Sequence, residues 1–207
     1  MGVFEDTAAM YASEEGAAMY RRKEALHDAA RRTTVYRAID GWDLQGWKVL
    51  DVGCGFGRDV AEFRRRGAEA YGCDGSEPLL VEARKEVGDY FTRHDVRSGP
   101  LPYSGGFDMV WSCMVLVHVP RQEMPQVVKE MWAQLRQGGR LVLLTKNGTG
   151  ERVMTNLGED KPRIMVYYTE QELRSVIVDL GGRVDEAGIR TVLATGDEAL
   201  ELVAVKP

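Results

Sequence analysis

The chain has 207 residues, a formal net charge of −5, 44% hydrophobic and 29% charged residues, which is the size and composition of one soluble globular domain. No apolar run approaches the ~18 residues of a membrane helix, and the acidic start MGVFEDTAAMYASEEG lacks the basic-then-apolar order of a secretory signal. The negative balance argues against a broad nucleic-acid surface, so a cytoplasmic protein without membrane or nucleic-acid partners is expected.

In chain order, residues from about Asp6 to Ile39 are rich in Ala, Glu and Arg and are expected to be helical, with Gly16 as a possible break; residues 1–46 form a leader. WKVLDV opens the first strand and runs into the glycine loop VGCGFGR. DVAEFRRRG reads as a helix ending at Gly67, and AEAYGCD as a strand. SEPLLVEARKEVG reads as a helix with Ser76 as N-cap, Pro78 in its first turn and Gly88 at its end. DYFTRHD is a short strand, and FDMVWSCMV a strand apolar on both faces. MPQVVKEMWAQLRQGG sets Met124, Val127, Val128, Met131 and Leu135 on one helical face and is expected to stop at Gly138-Gly139. RLVLLTK is a further buried strand. Residues 146–168 are long for a connection in a compact domain, which predicts a flap over a site or an added hairpin. TEQELRSVIVDLGG is a helix with Thr169 as N-cap and Glu172 at the capping-box position, and the tail holds two strands around a TGDE turn.

Strands alternating with helices and ending in a hairpin specify an open, mostly parallel α/β sheet covered on both faces. Ligands sit over the carboxyl ends of such strands, at the switch in strand order. The dinucleotide fingerprint G-x-G-x-x-G/A would need a small residue at position 58, where Arg58 stands. The loop reads instead Gly53, Gly55, Gly57, with Asp51 before it. A tight turn holding no ligand would give the same triplet. Asp74 ends the second strand, where a carboxylate can accept from two ribose hydroxyls; His94, Asp95 and Val96 end the third.

This ordered set, with FDMVWS and GGRLVL, resembles the class I S-adenosylmethionine-dependent methyltransferases, particularly the small type-11-like enzymes. The likeness covers residues 47–145 most strongly. It implies a Rossmann-like, doubly wound, mostly parallel seven-stranded sheet with an antiparallel C-terminal strand, residues 47–207 forming the core behind the leader, with S-adenosylmethionine as cofactor. Gly53, Gly55 and Gly57 would let the backbone approach it, and any side chain there would occupy its space. Asp51 would help hold the methionine amino group, or anchor the loop. Asp74 would take the ribose, having little structural reason to be there. Asp95 and Val96 would meet the adenine, unless Asp95 caps a turn, and Ser112 and Cys113 would lie under the methionine half. Arg58 would pair with Asp59 or Glu62, or close over the cofactor.

In MVLVHVP, His118 matches a histidine common at that place in the family and is the candidate general base, or else a cleft residue packed beneath Pro120. In the 146–168 flap the resemblance marks Lys146, Arg163, Tyr167 and Tyr168 as substrate contacts. The one-charge positive surplus of Lys146, Arg152, Lys161 and Arg163 over Glu151, Glu159 and Asp160 points to an anionic small-molecule acceptor. Tyr11 and Tyr20 of the leader would touch the site or pack in the core. The reaction expected is transfer of a methyl group to an O or N atom. The competing readings are an RNA- or protein-modifying enzyme docking through the basic leader segment Arg21 to Arg32, and a binding module without turnover. No metal site is expected from the scattered cysteines and histidines, and the oligomeric state is not encoded legibly.

Overall fold

The computed structural model describes residues 3–22, 35–154, 163–192 and 198–207. Five parallel strands form the first part of the sheet: β1 (Lys48–Val52), β2 (Glu69–Asp74), β3 (Phe91–Arg93), β4 (Phe107–Cys113) and β5 (Leu135–Lys146). With β8 (Arg183–Val192) and β9 (Glu198–Val205), the seven-stranded order is β3-β2-β1-β4-β5-β9-β8, and β9 runs antiparallel to both neighbours. The order reverses at β1, between β2 and β4, and this is the switch point where such sheets open a crevice.

The pleat sends alternate residues of each strand to opposite faces. Leu50, Val52, Val110, Leu141 and Leu143 share one buried layer with Val127, Val128 and Met131 of α5 (Met124–Ala133) and with Leu173 and Ile177 of α6 (Glu170–Asp179). Val49, Met109, Trp111 and Val142 share the other with Val60 and Phe63 of α3 (Arg58–Arg65), Leu80 and Ala83 of α4 (Glu77–Val87), and Tyr36 and Ile39 of a 3-10 turn, Val35–Ile39. Fully burying side chains such as Leu50 or Phe63 contributes roughly 1.5–3 kcal/mol each. The expected caps are present: Ser76 accepts from the Leu79 amide, and Thr169 and Glu172 form a complete capping box.

Two boundaries differ from the sequence expectation. The leader breaks at Ala12-Ser13, between α1 (Val3–Tyr11) and α2 (14–22), because the Ser13 hydroxyl accepts from the Gly16 amide at 3.1 Å and so caps α2. Gly16 continues that helix; a Cβ there would lie 1.9 Å from the Met10 carbonyl oxygen. Helix α5 ends at Ala133, short of Gly138-Gly139. The Lys206 ammonium takes the Trp132 and Leu135 carbonyls at 3.1 and 2.8 Å, and the Gly138 and Gly139 main chain pairs with Lys206, so strand pairing outcompetes a further helical turn.

The long connection is a hairpin of β6 (Glu151–Met154) and β7 (Arg163–Val166); Glu159, Asp160 and Lys161 lie outside the described residues, as do Lys23, Arg31, Arg32 and all but Glu198 of the TGDE turn. The Arg64-Arg65-Arg66 cluster is consumed internally. Arg65 and Arg66 bind Glu62, and Arg64 donates to the Ala70 carbonyl and lies over the Tyr90 ring. The pairing with Arg65 and Arg66 outweighs the partial burial of Glu62 and holds its carboxyl down at about 2. Among the described residues no helix is long and apolar enough to cross a membrane.

Candidate active site

At the switch point β1 runs into the glycine loop, and the Gly53 and Cys54 amides donate to the Cys73 carbonyl of β2 at 2.7 and 3.0 Å. All three loop glycines have positive φ, a conformation that strains other residues. Their clearances serve different purposes. A Cβ on Gly53 would lie 2.1 Å from Val115, and one on Gly57 2.4 Å from Phe91, so at those two positions the space a side chain would take is already filled by protein. At Gly55 a Cβ would meet only the Tyr20 ring edge at 3.3 Å.

Asp74 also departs from expectation, because it has a structural task. Its two oxygens accept the Gly55 amide at 2.9 Å and the Ser76 amide at 2.8 Å. The carboxylate therefore ties the glycine loop to the start of α4. Burial raises its pKa, against the pull of the two amides. Asp51, the penultimate residue of β1, is buried. Burial, reinforced by Asp51 and Asp74, pushes the Cys54 thiol up, which makes it a poor nucleophile. Asp95 is exposed and caps a turn, accepting the Arg97 amide at 3.0 Å; Val96 packs on the core beside it. Ser112 is buried, and its hydroxyl has no hydrogen-bond partner among the described residues; Cys113 is half-buried at the end of β4. Arg58 lies over the Phe56 ring at 5.7 Å. Of the carboxylates foreseen as its partners, Asp59 accepts from Tyr36 and from the Trp111 indole, and Glu62 from Arg65 and Arg66.

The leader covers this loop. Tyr20 packs on Phe56 with centroids 5.4 Å apart, and Tyr11 packs edge-on against Tyr20 at 5.7 Å. The Tyr11 carbonyl accepts from the Ser76 hydroxyl at 2.6 Å, beside Asp74. On its other side Tyr11 meets the His118 ring at 5.1 Å, and its hydroxyl accepts from the Arg163 guanidinium at 3.0 Å. Thr7 accepts the Ile164 amide at 3.2 Å. Thus α1, the short turn Leu116–His118 after β4, and β7 converge over the carboxyl ends of β1 and β4.

His118 is half-buried, its Nδ1 3.3 Å from the Ile164 carbonyl. Lys146 ends β5, and its ammonium lies 5.5 Å from the centre of the Tyr167 ring, which also faces Arg152. Tyr168 is fully buried in the core and donates its hydroxyl to the Val119 carbonyl at 2.9 Å; its burial raises its pKa. Of the four flap residues, Arg163 is the one held against Tyr11. Thr7, Ser76 as a tether for the leader, and Val115 as the filler of the Gly53 clearance were not foreseen; no local pattern marks contacts so distant in sequence.

Comparison with known proteins agrees with this architecture. The family described as Methyltransferase domain matches residues 49–139. The Ubiquinone biosynthesis O-methyltransferase of Escherichia coli O127:H6 is 34% identical over 172 residues, covering 78% of this chain and 70% of that protein. Methyltransferase GfsG of Streptomyces halstedii is 34% identical over 147 residues, 66% of this chain; the chain spans only 51% of GfsG. In fold, the DhpI–SAM–HEP complex matches with a TM-score of 0.77 at 16% identity, over 100% of this chain and 98% of that one. The chain belongs to the class I S-adenosylmethionine-dependent methyltransferases.

Proposed function

We propose that this chain is one cytoplasmic domain that transfers a methyl group from S-adenosylmethionine to an oxygen or nitrogen atom of a small anionic acceptor. The observation that carries the reading is the convergence of Tyr11, His118 and Arg163 beside the glycine loop at the strand switch point. The residues fit an adenosyl cofactor. Asp74 offers a carboxylate at the end of β2, Gly55 gives close approach to the main chain, and Asp51, Gly53, Gly57, Asp95, Val96, Ser112 and Cys113 line the adjoining strand ends and loops.

When bound, the cofactor supplies a methyl carbon already activated by its sulfonium. What the protein must add is alignment of the acceptor and, where the attacking atom carries a proton, a base. The Ile164 carbonyl can only accept, so the Nδ1 contact favours the proton on that nitrogen and leaves Nε2 to receive one from the acceptor. Arg163 is buried, and a buried guanidinium is well suited to hold a carboxylate or phosphate-type group. Lys146, beside the Tyr167 ring, adds a second cation, Tyr168 supports this side from the core, and residues 1–46 and 146–168 act as cap and flap over the core domain.

The test begins with calorimetric titration of S-adenosylmethionine and NAD; binding of NAD alone would end the reading. Matched neutral and anionic acceptors are then screened for methylation, where exclusive use of neutral acceptors would remove the role given to Arg163. With an acceptor found, His118→Ala should lower kcat by roughly 10²- to 10⁴-fold with cofactor affinity unchanged. Near-normal kcat with an unaltered pH profile would leave His118 as a wall of the cleft.

A further inference from the structure

The turn that carries His118 is fastened to the hairpin by a residue with no role so far. Arg121 follows His118 by three positions and reaches out of its loop to three acceptors on two other segments. Its guanidinium binds the Glu172 carboxylate and the Tyr167 carbonyl, approaches the Gly150 carbonyl at 3.5 Å, and lies over the Tyr168 ring at 5.1 Å. Glu172 is itself held: its other oxygen accepts from the Thr169 amide and hydroxyl, both at 2.8 Å, in the capping box of α6. The carboxylate therefore has a fixed direction, and a planar guanidinium placed on it can span both hairpin carbonyls.

Two further tethers join the same bodies, Tyr168 hydroxyl to Val119 carbonyl at 2.9 Å and His118 Nδ1 to Ile164 carbonyl at 3.3 Å. Of these two the second acts on the imidazole, and it depends on where β7 sits relative to the turn.

We propose that Arg121 is a positioning residue: by clamping residues 150 and 167 of the hairpin and Glu172 to the turn, it keeps the Ile164 carbonyl on His118 and so fixes which ring nitrogen carries the proton. The mechanistic value of that rests on His118 being the base, but the positioning is measurable without turnover. Loss of the clamp would let β7 shift, and the Nδ1 contact, already the longer of the two, would yield before the Tyr168 bond.

The chain has three histidines, so long-range proton–nitrogen correlation spectra of the full-length protein labelled with 15N-histidine can resolve each ring. His118→Ala identifies its signals. In the wild type near pH 8, His118 should show a protonated Nδ1 and a bare Nε2. Arg121→Gln should shift it towards protonated Nε2, with circular dichroism and the other two histidines unchanged, and Arg121→Lys should restore part of the wild-type pattern. Glu172→Gln, which keeps the capping box but weakens the ion pair, should move His118 the same way by less, and it serves if Arg121→Gln fails to fold. A wild-type His118 protonated on Nε2, or an unchanged tautomer in a folded variant, would overturn the proposal. Normal kcat in His118→Ala with these shifts observed would instead refute the base and leave the positioning intact.

Discussion

The two sides of the site are built from different materials. On the glycine-loop side the working groups are mainly main chain: the Gly53 and Cys54 amides on Cys73, and the Gly55 and Ser76 amides on one carboxylate, Asp74. All lie within one strand–loop–helix–strand unit and the turn that follows it. On the other side the working groups are side chains, Tyr11, His118 and Arg163, from three segments; Arg163 meets Tyr11 across 152 positions of sequence. A main-chain cradle tolerates most side-chain changes but not an added Cβ where the backbone closes on itself. A side-chain wall can be rebuilt residue by residue without disturbing the cradle, which is how one fold can serve many acceptors with one cofactor.

The contrast is sharpest within the glycine triplet. Gly53→Ala must adopt a φ of 78° and place its Cβ 2.1 Å from Val115. Strain and overpacking together should cost about 3 kcal/mol or more, read as a lower urea midpoint with an unchanged slope. Gly55→Ala, at φ 55° with only a ring edge at 3.3 Å, should cost roughly 1 kcal/mol yet weaken cofactor binding in the folded protein. Equal losses of stability in the two variants would break the division between closing the fold and admitting the ligand.

Asp74 ties the loop to α4, and Asp74→Asn tests whether it also holds the cofactor. An amide oxygen can keep one of the two backbone bonds while the charge is lost. With charge-assisted bonds worth about 1.5–3 kcal/mol, the cofactor Kd should rise on the order of 10²-fold by calorimetry. The pH dependence has a definite sign. Burial raises the folded-state pKa above that of the unfolded chain, so the ionised carboxylate costs stability above the folded pKa, and the cost is relieved as pH falls towards the unfolded value. Cofactor affinity that depends on the charge should weaken over the same fall. A Kd equally pH-dependent in wild type and Asp74→Asn would place the ribose elsewhere.

What could be read in the sequence follows the same division. Strand order, caps and the glycine loop depend on local pattern, so the alternation of elements, Ser76, Thr169 with Glu172, and the loop itself were legible. The end of α5 was not, because the Lys206 ammonium that takes the Trp132 and Leu135 carbonyls comes from the far end of the chain. The packing around Gly53 and Gly57 was not legible for a similar cause: the atoms filling their clearances, from Val115 and Phe91, are distant in sequence. Asp74 was recognised by position, but its hold on the Gly55 and Ser76 amides was not foreseen. Arg121 carries no local signal at all, since its three acceptors belong to the hairpin and α6.

The smallest expected effect tests the far wall. Tyr11→Phe removes only the hydroxyl that accepts from Arg163 at 3.0 Å. The ring contacts with His118 and Tyr20 stay, and so does the main-chain bond from Ser76 to the Tyr11 carbonyl. Stability should therefore fall by about 1 kcal/mol, the net worth of one hydrogen bond, and cofactor affinity should hold within about twofold because no atom of the cradle is touched. Acceptor KM should rise several-fold, since Arg163 loses its bond to the Tyr11 hydroxyl. The measurement pairs a urea titration with cofactor calorimetry on the same preparation. If Tyr11→Phe weakened the cofactor as much as Asp74→Asn, the leader would belong to the cradle, and the two sides of the site would not be separable.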